Sequence, residues 1–142
     1  MKRLKAQGAN LVDLTDIYIK QVRSILEFGV PVWNVGLTKD EVMNIERVQK
    51  SFLYIALGNG YLNYKAALQA TGLETLSSRR TILCRKFAVK TAKHPTHSHW
   101  FVESQPGPDT RSEKTLFKPP LCRLDRLKKS PIPYLTNLLN NS

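Results

Sequence analysis

The chain has 142 residues, 42% of them hydrophobic, and 22 Lys and Arg against 11 Asp and Glu give it a formal charge of +11. That length admits one domain with a tail. No apolar run reaches the ~20 residues that span a bilayer, and no apolar core follows the basic opening MKRLKAQGAN as a secretory signal requires. Cys84 and Cys122 stand alone, which argues against a disulfide framework and for free thiols in a reducing, intracellular compartment.

Charge is unevenly spread. Residues 1–74 hold 9 Lys/Arg and 7 Asp/Glu, whereas residues 75–142 hold 13 and 4. A nearly neutral front and a strongly basic back describe a packed module with a surface for a polyanion, nucleic acid first among them. A solvated cationic surface with no dedicated partner is the alternative.

Met1–Gln7 predicts one or two helical turns stopped at Gly8. A long helix follows over 10–28, with Asn10 as N-cap and Leu14, Ile17, Tyr18, Val22, Ile25 and Phe28 on one face at 100° per residue. Asp13, Asp16, Lys20, Arg23 and Glu27 form a narrow polar strip, with Asp16–Lys20 and Arg23–Glu27 at the favoured i,i+4 spacing. A helix this apolar calls for neighbours on more than one side. The stretch GVPVWNVG, Gly29–Gly36, reads as a buried non-helical corner: Pro31 turns Val30 away from helix, the two glycines accept positive φ, and Trp33 is the largest anchor.

Thr38 and Glu41 form a capping box that starts a second long helix over 39–57, closed by an αL cap at Gly58. Its apolar face is Val42, Ile45, Val48, Gln49, Phe52, Leu53, Ile55 and Ala56, with Glu46, Arg47, Lys50 and Ser51 opposite. Asn63 caps a short helix, Tyr64–Thr71, that Gly72 ends; Thr75 caps a third long helix over 76–93. This last helix holds six basic residues and no acidic one. Arg79, Lys86, Lys90 and Lys93 share a narrow arc beside Leu76, Leu83 and Phe87, as a row along a phosphate backbone would. Arg80 falls on the apolar face and reads as a buried, paired arginine.

His94, His97 and His99 crowd a Pro-broken loop that lacks the four ligands of structural zinc, so a polar loop is expected and no metal. Residues 95–120 read as a Pro-rich linker or disordered arm. In residues 121–142 a basic group, Arg123, Arg126, Lys128 and Lys129, precedes a short docking helix that offers Tyr134, Leu135, Leu138 and Leu139. The expected fold class is all-α: a small bundle of three long helices and short ones, with a Pro-rich basic C-terminal tail.

Three ordered stretches carry a family resemblance: VRSILEFGVPVWNVGLTKDEVMNIERVQKSFL (Val22–Leu53), GLETLSSRRTILCRKF (Gly72–Phe87) and CRLDRLKKSPIPYLTNLLN (Cys122–Asn140). The chain resembles the segment that follows the polymerase domain in reverse transcriptases of non-LTR (LINE-type) retrotransposons, of the jockey and chicken-repeat groups. It departs at Ser24, where the family has Pro, at Phe28, where it has Tyr, and at Ser77 and Ser78, where it has acidic residues.

The resemblance implies a thumb-like domain over 10–94 that grips a template–primer duplex by its backbone in the nucleus, with the missing polymerase core as a second partner. It further implies that residues 1–9 continue an element upstream, that fingers, palm and endonuclease precede Met1, and that Ser142 is a natural end. No cofactor is expected. The related polymerases hold two metals on adjacent aspartates; of the five aspartates here, Asp13, Asp16, Asp40, Asp109 and Asp125, no two adjoin. A catalytically incomplete fragment is the expected identity, with a helical protein-interaction module or a non-functional relic of a retroelement as alternatives.

Overall fold

The computed structural model describes residues 1–104 and 116–141; residues 105–115 of the expected arm and Ser142 lie outside the described residues. The chain is all-α, and among the described residues there is no strand, only an isolated antiparallel bridge between Glu103 and Phe117. Two compact units divide it: Met1–Gly29 with Leu37–Arg80, and Val30–Gly36 with Thr81–Ser142. These boundaries differ from the expected ones near residues 94 and 120. Val30 from the corner and Leu135 and Leu139 from the tail share one core with Cys84 and Ala88, so corner and tail belong to a single unit.

The first unit opens with α1 (Lys2–Ala6), stopped at Gly8 with φ 88°. Helix α2 (Leu11–Ile17) is capped by Asn10, whose side chain accepts from the Asp13 amide at 2.8 Å. It continues through a π-helical stretch, Tyr18–Arg23, into α3 (Ser24–Glu27). The uniform helix expected over 10–28 is thus interrupted, and the extra residue per turn rotates its second half. Ile25 and Phe28, expected on the apolar face, are 74% and 83% exposed. Arg23 and Glu27, expected on the solvated strip, are half-buried and paired at 3.5 Å. The exposed pair Asp16–Lys20 forms as expected, at 2.6 Å.

Helix α5 (Lys39–Leu57) starts at the expected capping box: the Thr38 amide donates to Glu41 Oε2 at 2.7 Å, and the Glu41 amide donates to Thr38 Oγ1 at 3.3 Å. The backbone bond from Thr38 holds the Glu41 carboxyl below the ordinary carboxylate range. Its end is not an αL cap, because Gly58 has φ 57° and ψ −122°. Lys5 finishes it instead, its Nζ donating to the carbonyls of Ile55 and Ala56 at 2.8 and 3.0 Å, where cationic charge meets the negative end of the helix. Helix α6 (Tyr64–Thr71) runs from the Asn63 cap to Gly72 in the αL region, as expected.

Leu14, Tyr18, Phe52, Leu53, Ala56, Ala67 and Leu73 form the first core, in which Tyr18 stacks on Phe52 at 4.1 Å between centroids. Beside it lies a polar chain. The Tyr18 hydroxyl donates to Gln49 Oε1 at 3.0 Å, and Gln49 Nε2 donates to the Tyr64 hydroxyl at 3.1 Å and to the Glu74 carbonyl at 2.8 Å. Tyr64 in turn donates to Glu46 Oε1. Glu46, expected on the solvated side of α5, is therefore half-buried, while Val48, expected inside, is exposed.

The second unit holds α4 (Val30–Trp33), a 3-10 turn Asn34–Gly36, α8 (Asp125–Lys128) and α9 (Pro131–Asn140). The expected non-helical corner is helical: Pro31 sits in the first turn, where its missing N–H costs nothing. Of the two corner glycines only Gly29 takes positive φ, 65°. Val30, fully buried, is the anchor rather than the half-buried Trp33. Helix α9 docks as expected through Leu135 and Leu139, with Tyr134 and Leu138 packed beside them. Asn140 clamps the Phe117 backbone from both sides, accepting from its N–H and donating to its C=O at 2.9 Å each.

Burial raises the titration of both Tyr18 and Tyr64, and at Tyr64 the bond to the Glu46 carboxylate adds to it. A group whose native pKa lies above its unfolded value contributes stability below the unfolded pKa and loses it as pH rises. The urea midpoint should therefore fall as pH climbs past the ordinary tyrosine value of 10.0. Tyr18→Phe should flatten that fall relative to wild type; an unchanged alkaline slope would show that Tyr18 ionises as readily folded as unfolded.

Candidate nucleic-acid interface

Helix α7 (Leu76–Ala92) carries most of the expected basic row, and the division between the two units falls within it, after Arg80. Its start is doubly held. Thr75 Oγ1 accepts from the Ser78 amide at 3.1 Å, and Glu46 Oε1 accepts from the Leu76 amide at 3.2 Å. A carboxylate against a helix N-terminus is electrostatically favoured. Glu46 thus supplies the acidic group at this helix start, where the chain itself has Ser77 and Ser78.

The residues buried along α7 are Leu76, Arg80, Cys84, Ala88 and Thr91, at spacings of three and four. At 100° per residue, Lys86 lies about 140° and Lys90 about 100° from the centre of that stripe. The row therefore faces solvent, and at Lys90 it borders the apolar face as expected, next to the half-buried Leu83 that packs on the second core. Lys86, Lys90 and Lys93 are all exposed. None of them has an acidic partner among the described residues.

Arg79 is different. Its Nε and Nη2 donate to the two carboxylate oxygens of Glu27, each at 3.0 Å. Those bonds hold it even more firmly protonated than a free arginine. Half-buried in this fork, Arg79 is committed to the fold and is not presented with the lysines. Arg80 is 3% exposed, buried as expected.

Arg123, Arg126, Lys128 and Lys129 are all exposed on and around α8, in the same compact unit as Lys86, Lys90 and Lys93. Lys128 lies 3.5 Å from Asp125, a solvated pair of little energetic weight. After α7 the chain turns through Ser98–Trp100, and His94, His97, His99 and Trp100 come together ring to ring. Among the described residues no group of three or more His, Cys, Asp or Glu is placed to hold a metal ion. No helix there is long and apolar enough to cross a membrane.

Reasoning from the sequence missed two features near this surface. The Glu27 fork required knowing the π-helical stretch, for which the spacing of four from Leu14 to Tyr18, Val22 and Leu26 was the available signal. The ring cluster required weighing His94, His97 and Trp100, three apart, as stacking partners instead of as metal ligands.

The Arg79 assignment has a direct check. Arg79→Gln should lower stability by about 1–2 kcal/mol, because Glu27 then stays half-buried with only Arg23 beside it. The salt dependence of the nucleic-acid binding proposed below should not change. A shallower salt slope in this variant would return Arg79 to the binding row. No protein-family model matches this chain, and comparison with curated proteins and with solved structures finds no match either.

Proposed function

We propose that this chain is the thumb-like, post-polymerase helical piece of a non-LTR retrotransposon reverse transcriptase, a nuclear nucleic-acid-binding segment that grips a template–primer backbone and performs no catalysis itself. The observation that carries the reading is the row Lys86, Lys90 and Lys93, exposed along the flank of α7 outside its buried stripe and without acidic partners among the described residues. Along a helix rising ~1.5 Å per residue these ammonium groups are spaced by ~6 and ~4.5 Å. Phosphates on one strand advance ~3.4 Å per nucleotide, so the row offers a contact every one to two nucleotides. Arg123, Arg126, Lys128 and Lys129 extend the same charge, and the three sequence stretches quoted above supply the family.

A second reading rests on Ile25 and Phe28, at 74% and 83% exposed. Two large apolar side chains turned outward suit a protein neighbour. Under the first reading that neighbour is the polymerase core; under the second it is an unrelated partner of a free-standing helical module.

Binding to duplex or RNA–DNA hybrid should be insensitive to sequence. Its affinity should fall with salt at a log–log slope of about −3 for three helix contacts, each contributing roughly −0.9. Lys86→Gln with Lys90→Gln should make the slope shallower by about two contacts without loss of helicity. Cutting away the tail would remove Leu135 and Leu139 from the second core, so the contribution of Arg123, Arg126, Lys128 and Lys129 is tested by replacing all four with Gln. If the tail variant loses binding and the α7 variant does not, the assignment to α7 is wrong.

Catalysis is tested separately. Primer extension on an RNA template with magnesium or manganese should give no product above a heat-inactivated control, and incorporation above that control would overturn the reading of a non-catalytic segment.

A further inference from the structure

Beyond the last turn of α7 the lysine row runs into aromatic rings. His94 and His97 stack with centroids 5.0 Å apart and planes 25° from parallel. His97 meets Trp100 at 4.8 Å and 39°, and His99 stands edge-on to Trp100 at 6.1 Å and 78°. The loop that carries them is tied down by its own backbone: the amides of His97 and Ser98 donate to the His94 carbonyl at 3.0 and 2.9 Å, and the Thr96 amide donates to His94 Nδ1 at 3.2 Å. Phe101, the next residue, is 5% exposed in the second core and anchors the loop from below. Yet His94, His99 and Trp100 themselves are exposed.

Two chemistries use clustered imidazoles. A metal ion needs ring nitrogens that converge, with their lone pairs in the ring planes aimed at one point. Rings stacked face to face direct those lone pairs alongside one another, so His94 and His97 do not share a metal in this arrangement. Stacking needs the opposite: parallel π-faces, held rigid and open to solvent at an end of the column. His94 and Trp100 supply this at the two ends of the column, each against His97 and each exposed, and Trp100 is the larger face. Lys90 and Lys93 lie four and one residues before it in sequence, so cationic charge adjoins the column. Aromatic rings beside backbone-neutralising cations are how proteins hold unpaired bases irrespective of sequence.

We infer that the His94–His97–Trp100 column is a stacking platform for unpaired nucleobases, binding the single-stranded end of the nucleic acid whose backbone Lys86, Lys90 and Lys93 hold. This rests on the proposed function above and narrows its ligand to a junction between duplex and single strand. The platform adds affinity only where a base is free to leave the helical stack. Duplex and single strand therefore separate its contribution from that of the lysines.

The experiment uses the full chain with Trp33→Phe, so that Trp100 is the sole fluorescent indole. A twelve-nucleotide oligothymidylate and a blunt twelve-base-pair duplex are titrated separately, with EDTA present. Oligothymidylate should quench Trp100, and the blunt duplex should bind with little quenching. Trp100→Ala should weaken oligothymidylate binding by about tenfold, the loss expected of one stacked base. Trp100→Phe should retain most of the affinity, and duplex binding should stay within about twofold in both variants, which also reports that the fold is intact. Duplex binding with no quenching by oligothymidylate would overturn the platform and leave the lysine row standing. Equal losses on both ligands in Trp100→Ala, or quenching that zinc restores after EDTA abolishes it, would likewise overturn it. If neither ligand binds the unsubstituted chain, the nucleic-acid reading itself fails.

Discussion

The first unit depends on one buried polar chain in which every link has a defined direction. Tyr18 donates to Gln49, Gln49 donates to Tyr64 and to the Glu74 carbonyl, and Tyr64 donates to Glu46, which also accepts from the Leu76 amide. Gln49 is the pivot because an amide alone offers an acceptor to one tyrosine and two donors to other partners at once. Each buried group left without its partner would cost about 1–3 kcal/mol. An apolar residue at position 49 would strand the Tyr18 hydroxyl and the Glu74 carbonyl together. Five segments meet at this chain: the π-helical stretch, α5, α6, the loop at Glu74 and the first residue of α7. Their mutual placement is specified by hydrogen bonds as well as by the apolar core beside them.

The π-helical stretch matters for the same reason. Tyr18 opens it, stacked on Phe52 and bonded to Gln49, and the extra residue then turns Glu27 inward to meet Arg79. Without that rotation Glu27 would face solvent and Ile25 the core, as the regular periodicity of the sequence suggests. The surface consequence is the exposure of Ile25 and Phe28. One local irregularity thus settles both the fate of Arg79 and the apolar surface on which a protein neighbour is proposed to sit.

Helix starts were legible because they are local chemistry. Asn10, Thr38, Asn63 and Thr75 each accept an amide three residues on, as their side chains and positions require. Non-local features were not legible. Lys5 caps α5 from about fifty residues away in sequence, and Glu46 serves the start of α7 from thirty away. Neither partner can be found by reading along a wheel. Val30 as an anchor was hidden by the rule that the residue before proline avoids helix, which gives way here because Pro31 lies in a first turn. At the basic surface the sequence located the lysines correctly on one arc of α7. It could not distinguish an arginine on that arc that the fold would claim.

That distinction follows a pattern set by side-chain chemistry. The three arginines of α7 are engaged by the protein: Arg79 forks Glu27, Arg80 is buried, and Arg85 donates to the Asn141 carbonyl at 3.2 Å, at the end of α9. Lys86, Lys90 and Lys93 remain exposed. A planar guanidinium with five fixed donors suits partners held at set angles, and it tolerates burial better than a compact, strongly hydrated ammonium. Lysine on a flexible stem keeps its charge in water and can follow a phosphate whose position shifts with sequence and twist. The helix therefore spends its rigid cations on internal order, and its mobile ones are those proposed to meet a ligand. A surface evolved for base-specific readout would show the reverse, with arginine forks presented outward to base edges. The outward lysines fit the proposed grip on a backbone, indifferent to the bases it passes.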